Sequence, residues 1–228
     1  MSLFLPTTAP NVAEWVRKAA GVVNSLITGK QDTLVSGTSI KTVNGTSLLG
    51  AGDIATPTPG SVVLASHVFS GSESSWNSGA LPTGYSLLEI EIYAKTAKAT
   101  ATDASKLSFN GDNASTNYPY VRISKAGSSA PAGASSTGAA TLLVTVCGNA
   151  AGVANLFGHF VARFPNHEDT HGYKVGSSEE SWHDGTNYNT RSGTNWWKNA
   201  GAITSVQLAS EAGDNYAAGS RIVVRGFA

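Results

Sequence analysis

Two hexapeptides constrain this chain more than anything else in it. Val35-Ser-Gly-Thr-Ser-Ile40 and Val43-Asn-Gly-Thr-Ser-Leu48 repeat one pattern: an apolar residue, a glycine-containing turn, a second apolar residue. Units this short cannot pair into a sheet or cover both faces within a single polypeptide. Wrapping several copies of the chain around one axis would bury Val35, Ile40, Val43, Leu48 and Leu49 and pair their backbones. A disordered linker is the other reading of residues 30–59, but regular apolar spacing is unusual in one. Thr56-Pro57-Thr58-Pro59 closes the segment as a semi-rigid joint.

A helix is expected ahead of this stretch, over residues 7–28. Asn11 and Glu14 form a capping-box-like start behind Pro10, and Gly29 supplies a stop. Val12, Trp15, Ala19, Val22 and Leu26 recur at alternating spacings of three and four, which is a heptad seam widened by Val16, Val23 and Ile27. Such a helix either lies on its own domain or docks on another chain. Docking is the favoured reading, because the segment behind it offers little to pack against and a helix this short is marginal alone in water.

Residues 60–228 read as the main domain. Strands are expected at 62–69, 87–93, 106–109, 120–123, 141–146, 156–164, 203–208 and 221–224. Leu88-Glu-Ile-Glu-Ile-Tyr alternates apolar and polar residues, the signature of a half-buried strand. The segments 110–112, 126–134 and 183–185 carry turn and loop residues. Short strands with glycine-rich turns and no helices between them predict a mainly β fold, a β-sandwich. The chain therefore reads as three parts: an anchoring or oligomerisation helix (1–29), a shaft with its joint (30–59) and a C-terminal sandwich (60–228).

Composition removes several functions. Of 228 residues, 15 are Lys or Arg and 15 Asp or Glu, so no basic stripe supports phosphate-driven nucleic-acid binding. No apolar run approaches the roughly 18 residues of a membrane span, and the N-terminus lacks a signal-peptide pattern. A single cysteine, Cys147, rules out an internal disulfide or a multi-cysteine zinc site. It ends an apolar run and reads as a buried, unreactive thiol.

Lys41-Thr-Val-Asn-Gly-Thr-Ser-Leu-Leu-Gly-Ala-Gly-Asp-Ile54 resembles a segment found in tail-fibre and head-fibre proteins of tailed bacteriophages. Leu81-Pro-Thr-Gly-Tyr-Ser-Leu-Leu-Glu-Ile90, Phe109-Asn-Gly-Asp112, Ile203-Thr-Ser-Val-Gln-Leu208 and Ala218-Gly-Ser-Arg-Ile-Val-Val-Arg-Gly226 are similar to the jelly-roll-like domains that end many phage structural proteins. Arg225 stands where an aromatic is common in those domains. The resemblance implies an intertwined trimeric shaft carrying a jelly-roll-like knob. It also implies a virion protein made in the cytoplasm of a host bacterium, which fits the absence of disulfides.

Catalysis is not expected. His167-Glu-Asp-Thr-His171 matches the H-E-x-x-H pattern of zinc proteases, but that chemistry needs a helix, and Pro165-Asn166 before it and Gly172 after it predict a polar loop. Glu179 and Glu180 are adjacent, so on a strand they would face opposite ways. No metal or cofactor is expected.

The strongest binding signal runs from Tyr173 to Trp197, a loop-like stretch holding three of the five tryptophans. Tyr173, Trp182, His183, Asp184, Tyr188, Arg191, Trp196 and Trp197 combine flat apolar faces with hydrogen-bonding groups, as sugar or receptor recognition requires. Two other readings stay open: the tryptophans plug the ends of the sandwich, or they lie between subunits. Asp112 reads as a turn carboxylate.

The expected function is a homotrimeric phage fibre, attached to a tail or capsid protein through residues 1–29. Its knob would attach the particle to a bacterial surface glycan or protein. The alternative is a capsid head fibre or decoration protein with weak or no receptor binding. A depolymerase would need a carboxylate pair that the sequence does not display.

Overall fold

The structure is a computed structural model that describes residues 13–23, 60–114, 116–148 and 155–228. It divides into two units, Met1–Pro57 and Thr58–Ala228. In the first, residues 13–23 form α1. Trp15 and Ala19 are half-buried, whereas Val16, Val22 and Val23 are more than half exposed. Glu14 and Lys18 pair at 3.0 Å one turn apart on its solvated side. Val12, Leu26 and the shaft residues Val35, Ile40, Val43, Leu48 and Leu49 lie outside the described residues.

The second unit is mainly β. Its strands are β1 (Val62–Val68), β2 (Ser75–Asn77), β3 (Leu87–Ala94), β4 (Thr102–Phe109), β5 (Tyr120–Ala126) and β6 (Ala132–Ser136). They are followed by β7 (Leu142–Cys147), β8 (Gly158–Pro165), β9 (Lys174–His183), β10 (Tyr188–Trp197), β11 (Val206–Ser210) and β12 (Arg221–Phe227). They form an eight-stranded sheet, ordered β1-β12-β3-β8-β9-β10-β5-β6, and a four-stranded sheet, ordered β2-β11-β4-β7. All strand pairs are antiparallel. The arrangement is consistent with a β-sandwich.

The alternation read in β3 decides which face is inside. Leu88, Ile90, Ile92 and Ala94 are fully buried, and Leu87, Glu89, Glu91 and Tyr93 point to the other face. Phe160, Ala162 and Phe164 of β8 and Ile222 and Val224 of β12 extend that inner face. From the small sheet come Leu107 and Phe109, Leu142, Val144 and Val146, and Val206 and Leu208. Phe109 sits edge-on to Phe164 at 5.0 Å and to Trp197 at 5.6 Å.

The turn after β4 ties the core to the chain's later segments. Asn110 and Gly111 have φ of 54° and 70°, a left-handed pair that Asn and Gly adopt most easily, in a tight turn closed by Asp112 N donating to Phe109 O at 2.8 Å. Asn110 Oδ1 then accepts the N–H groups of Thr204 and Ser205. Asp112 does more than close a turn: it accepts hydrogen bonds from Ala114 N, Asn117 Nδ2 and Trp197 Nε1, the last at 2.7 Å.

The turn expected at 126–134 is present over 127–131, and residues 132–134 enter β6. One stretch read as a loop is a pair of strands: the Tyr173–Trp197 segment forms β9 and β10, the two longest strands of the domain. The reason lies in the residues that face inward. In β9 they are Gly176, Ser178 and Glu180, so the period of two is present without the apolar signal that normally reveals it.

Candidate functional site

β9 and β10 make a long hairpin in the middle of the large sheet, joined by residues 184–187. Asp184 builds that turn. Its Oδ1 accepts Asn187 N at 2.7 Å and Thr186 N at 2.9 Å, and these backbone donors hold its carboxyl down at about 2. His183 is buried, its Nδ1 accepting Gly185 N and its ring edge-on to Tyr188 at 4.8 Å. Cys147 Sγ lies 3.5 Å from His183 N, and burial pushes the thiol's pKa up. The thiol is therefore held in its unreactive form.

The inner face of the hairpin carries a buried polar cluster. Glu180 reaches Arg191 Nη1 at 3.2 Å and Arg122 Nη1 of β5 at 3.9 Å, and accepts Thr145 N of β7 at 2.9 Å. Arg122 donates to Leu143 O of β7 at 3.1 Å. β7 is an edge strand, and these side chains satisfy backbone groups that its neighbour β4 does not use. Gly193 makes room for the cluster, since a Cβ there would lie 2.7 Å from Arg122 Cγ. Asn195 donates to Ser178 Oγ at 2.7 Å, and the Arg191 guanidinium stacks over the Trp182 ring at 4.8 Å.

Burial corrects several of the expected binding residues. Trp197 is fully buried and belongs to the core. Trp182 lies under Arg191, while His183 and Asp184 are occupied by the turn. Arg191 is bonded to Glu180 and to Thr145 Oγ1. The strand period turns Trp182, Arg191 and Trp197 to the inner face, whereas His183 and Asp184 are held by the turn's own hydrogen bonds. Tyr173, Tyr188 and Trp196 remain on or beside the outer face.

Tyr173 and Trp196 meet there. With Pro119, Tyr120, Val121, Ser135–Thr137 and Lys198 they line a surface groove of about 480 Å³. Tyr173 is 62% exposed, and Val175, directly opposite Trp196 in the ladder, is exposed as well. Tyr120 lies with its ring beneath the Arg122 guanidinium, 4.1 Å away. A second groove of about 420 Å³ opens farther along the same strands, lined in part by Ile123, Lys125, His159, Ser181, Thr190 and Ser192. The outward residues of β10 are Tyr188, Thr190, Ser192, Thr194 and Trp196; Thr190 and Ser192 line the second groove and Trp196 the first. Sequence reasoning named the two aromatics of that column and missed its hydroxyls. Their alternation with Asn189, Arg191, Gly193 and Asn195 was the available signal.

The His167–His171 segment is a loop of turns and not a helix. Glu168 Oε1 accepts Gly84 N at 2.7 Å and Tyr85 N at 3.0 Å, so its carboxylate fastens a neighbouring loop. His167 is buried and His171 is exposed, bonded to Asp169 at 2.7 Å. Among the described residues no group of three His, Cys, Asp or Glu side chains is placed to hold a metal ion. Comparisons with known protein families, with curated proteins and with solved structures found no match.

Proposed function

We propose that the chain is a homotrimeric virion fibre protein of a tailed bacteriophage. Residues 1–29 anchor it to a tail or capsid protein, residues 30–59 wind with two sister copies into a shaft, and the jelly-roll-like knob attaches to a glycan of the bacterial surface. The observation that carries this reading is the groove that the exposed Tyr173 and the half-buried Trp196 line together with Val121. Flat aromatic faces held on a sheet cover the C–H face of a sugar ring with little entropy lost on binding. The valines that α1 leaves exposed support a docking role for the N-terminal part.

Binding, not catalysis, is the role that the carboxylates favour. Glu180, Glu168 and Asp112 are each committed to arginines or to backbone and side-chain donors of the fold. Three weak sites on one trimer, and more on one particle, give avidity without high affinity at any one site.

The test uses the full-length protein. Sedimentation should give three times 23.4 kDa, about 70 kDa. The trimer should bind host cells or their isolated polysaccharide, and Trp196→Ala should weaken binding at least about tenfold with unchanged circular dichroism. A stable monomer would overturn the fibre assignment. A trimer that joins capsids in many copies and ignores cells would instead be a decoration protein.

A further inference from the structure

We infer that the outer face of β9 and β10 is a track for a linear bacterial polysaccharide, laid along the strands and gripped at its ends by Trp196 and Tyr188. This rests on the glycan reading above and specifies it: the ligand is an extended chain, not a single terminal sugar.

The register makes the case. Thr190 lies opposite Ser181 and Thr194 opposite Ser177, with Ser192 between them on β10. Directly opposed side chains in such a ladder stand about 5 Å apart, so these five hydroxyls form two adjacent rows. None of the five makes a side-chain hydrogen bond to another described residue. The inward neighbours behave differently, since Ser178, Asn195 and Arg191 are all bonded within the fold. Each free hydroxyl offers one donor and two acceptor sites, the repertoire that sugar hydroxyls match.

An aromatic ring ends the track at each side. Tyr188 is 73% exposed, and Trp196 lies eight residues along the same strand. At about 3.4 Å per residue the two are about 27 Å apart, farther than one sugar spans. One surface groove takes in Ser181, Thr190 and Ser192 along the middle of this line, and the other lies at its Trp196 end. Charge contributes little: Glu179 opposite Ser192 is answered by Lys125 opposite Thr190, and no block of one sign lines the floor. Binding should therefore survive added salt, unlike capture of a polyanion.

The experiment presents full-length protein to immobilised bacterial O-antigen and capsular polysaccharides, then to size-fractionated fragments of whichever binds. Affinity should rise at least about tenfold from the shortest fragments to long ones. Tyr188→Ala should abolish that gain and leave short fragments unaffected, whereas Trp196→Ala should weaken both. Ser192→Arg should block long chains while the trimer mass stays unchanged. Binding that is independent of length, or that collapses in high salt, overturns the track and leaves the glycan reading standing. A Ser192→Arg protein that loses its trimer would show that a second copy of the chain covers this face, and the track falls. Failure to bind any polysaccharide overturns the glycan reading itself.

Discussion

The two halves of the eight-stranded sheet solve the same problem in opposite ways. Across β12, β3 and β8 the inner face is apolar and covered by the small sheet, and the outer face pairs its own charges. Arg225 bonds Glu91 at 2.7 Å and Glu89 at 3.4 Å, Arg163 bonds Glu89 at 2.8 Å, and His159 approaches Glu91 at 3.5 Å. Arg225 holds the Glu91 carboxyl below its usual pKa range. Across β9, β10 and β5 the small sheet ends at β7. The inner face there is a salt-bridged polar cluster that seals the β7 edge, and the outer face keeps its hydroxyls unengaged and leaves Tyr173 and Tyr188 exposed. The first half is satisfied by its own neighbours and serves stability. The second is left with hydrogen-bonding capacity and exposed aromatic area, which is what a binding surface needs.

Breaking the apolar half should have the largest effect. Phe164→Ala removes a fully buried ring that packs on Phe109, and a loss of about 3–5 kcal/mol in urea unfolding is expected. Thr194→Ala, on the outer face of the other half, should change stability by less than about 0.5 kcal/mol.

Next comes the polar seal. Glu180→Ala strands Arg122, which is nearly fully buried, and should destabilise the fold by about 3 kcal/mol. Adding Arg122→Leu should recover part of that loss, and a double-mutant cycle measures the coupling. Additive effects would show that the cluster is not one unit.

A smaller effect depends on pH. Burial lowers the pKa of His167, with Glu168 opposing the shift. The unfolded chain therefore takes up a proton near pH 6.5 that the folded His167 still refuses. Its contribution is complete above that pH and is lost as pH falls below it, by at most about 1.4 kcal/mol per pH unit. Melting curves between pH 7.5 and 5 should show this slope, and His167→Gln should flatten it.

The smallest effect belongs to the charge ladder. Glu91→Gln should cost about 0.5 kcal/mol, less at high salt, and leave any glycan binding unchanged. A loss of binding in this variant would mean that the two halves are not functionally separate.

How far these features were legible in the sequence depended on what each strand buries. β3 was plain because Leu88, Ile90 and Ile92 alternate with Glu89 and Glu91. The adjacent Glu179 and Glu180 were rightly expected to part, and Glu179 is exposed while Glu180 is buried. β9 and β10 read as loops because Ser178, Glu180, Asn189 and Asn195 occupy inward positions that usually hold aliphatic residues. Of the eight candidate binding residues, only Tyr173 and Trp196 share a groove, with Tyr188 farther along the same face. Trp197 differs from Trp196 by one position and by a complete reversal of side. Composition alone has no access to that difference, because a pleated strand turns each successive side chain through half a revolution.

By itself the sequence determined a mainly β domain, the apolar face of its central strands and the turn at residues 110–112, because alternation and turn chemistry act between neighbours along the chain. Only the tertiary structure decided that the aromatic stretch is a hairpin, which of its residues are spent within the fold and which hydroxyls stay free. Those outcomes depend on where the small sheet stops over the large one, and that boundary is set by contacts between residues distant in sequence.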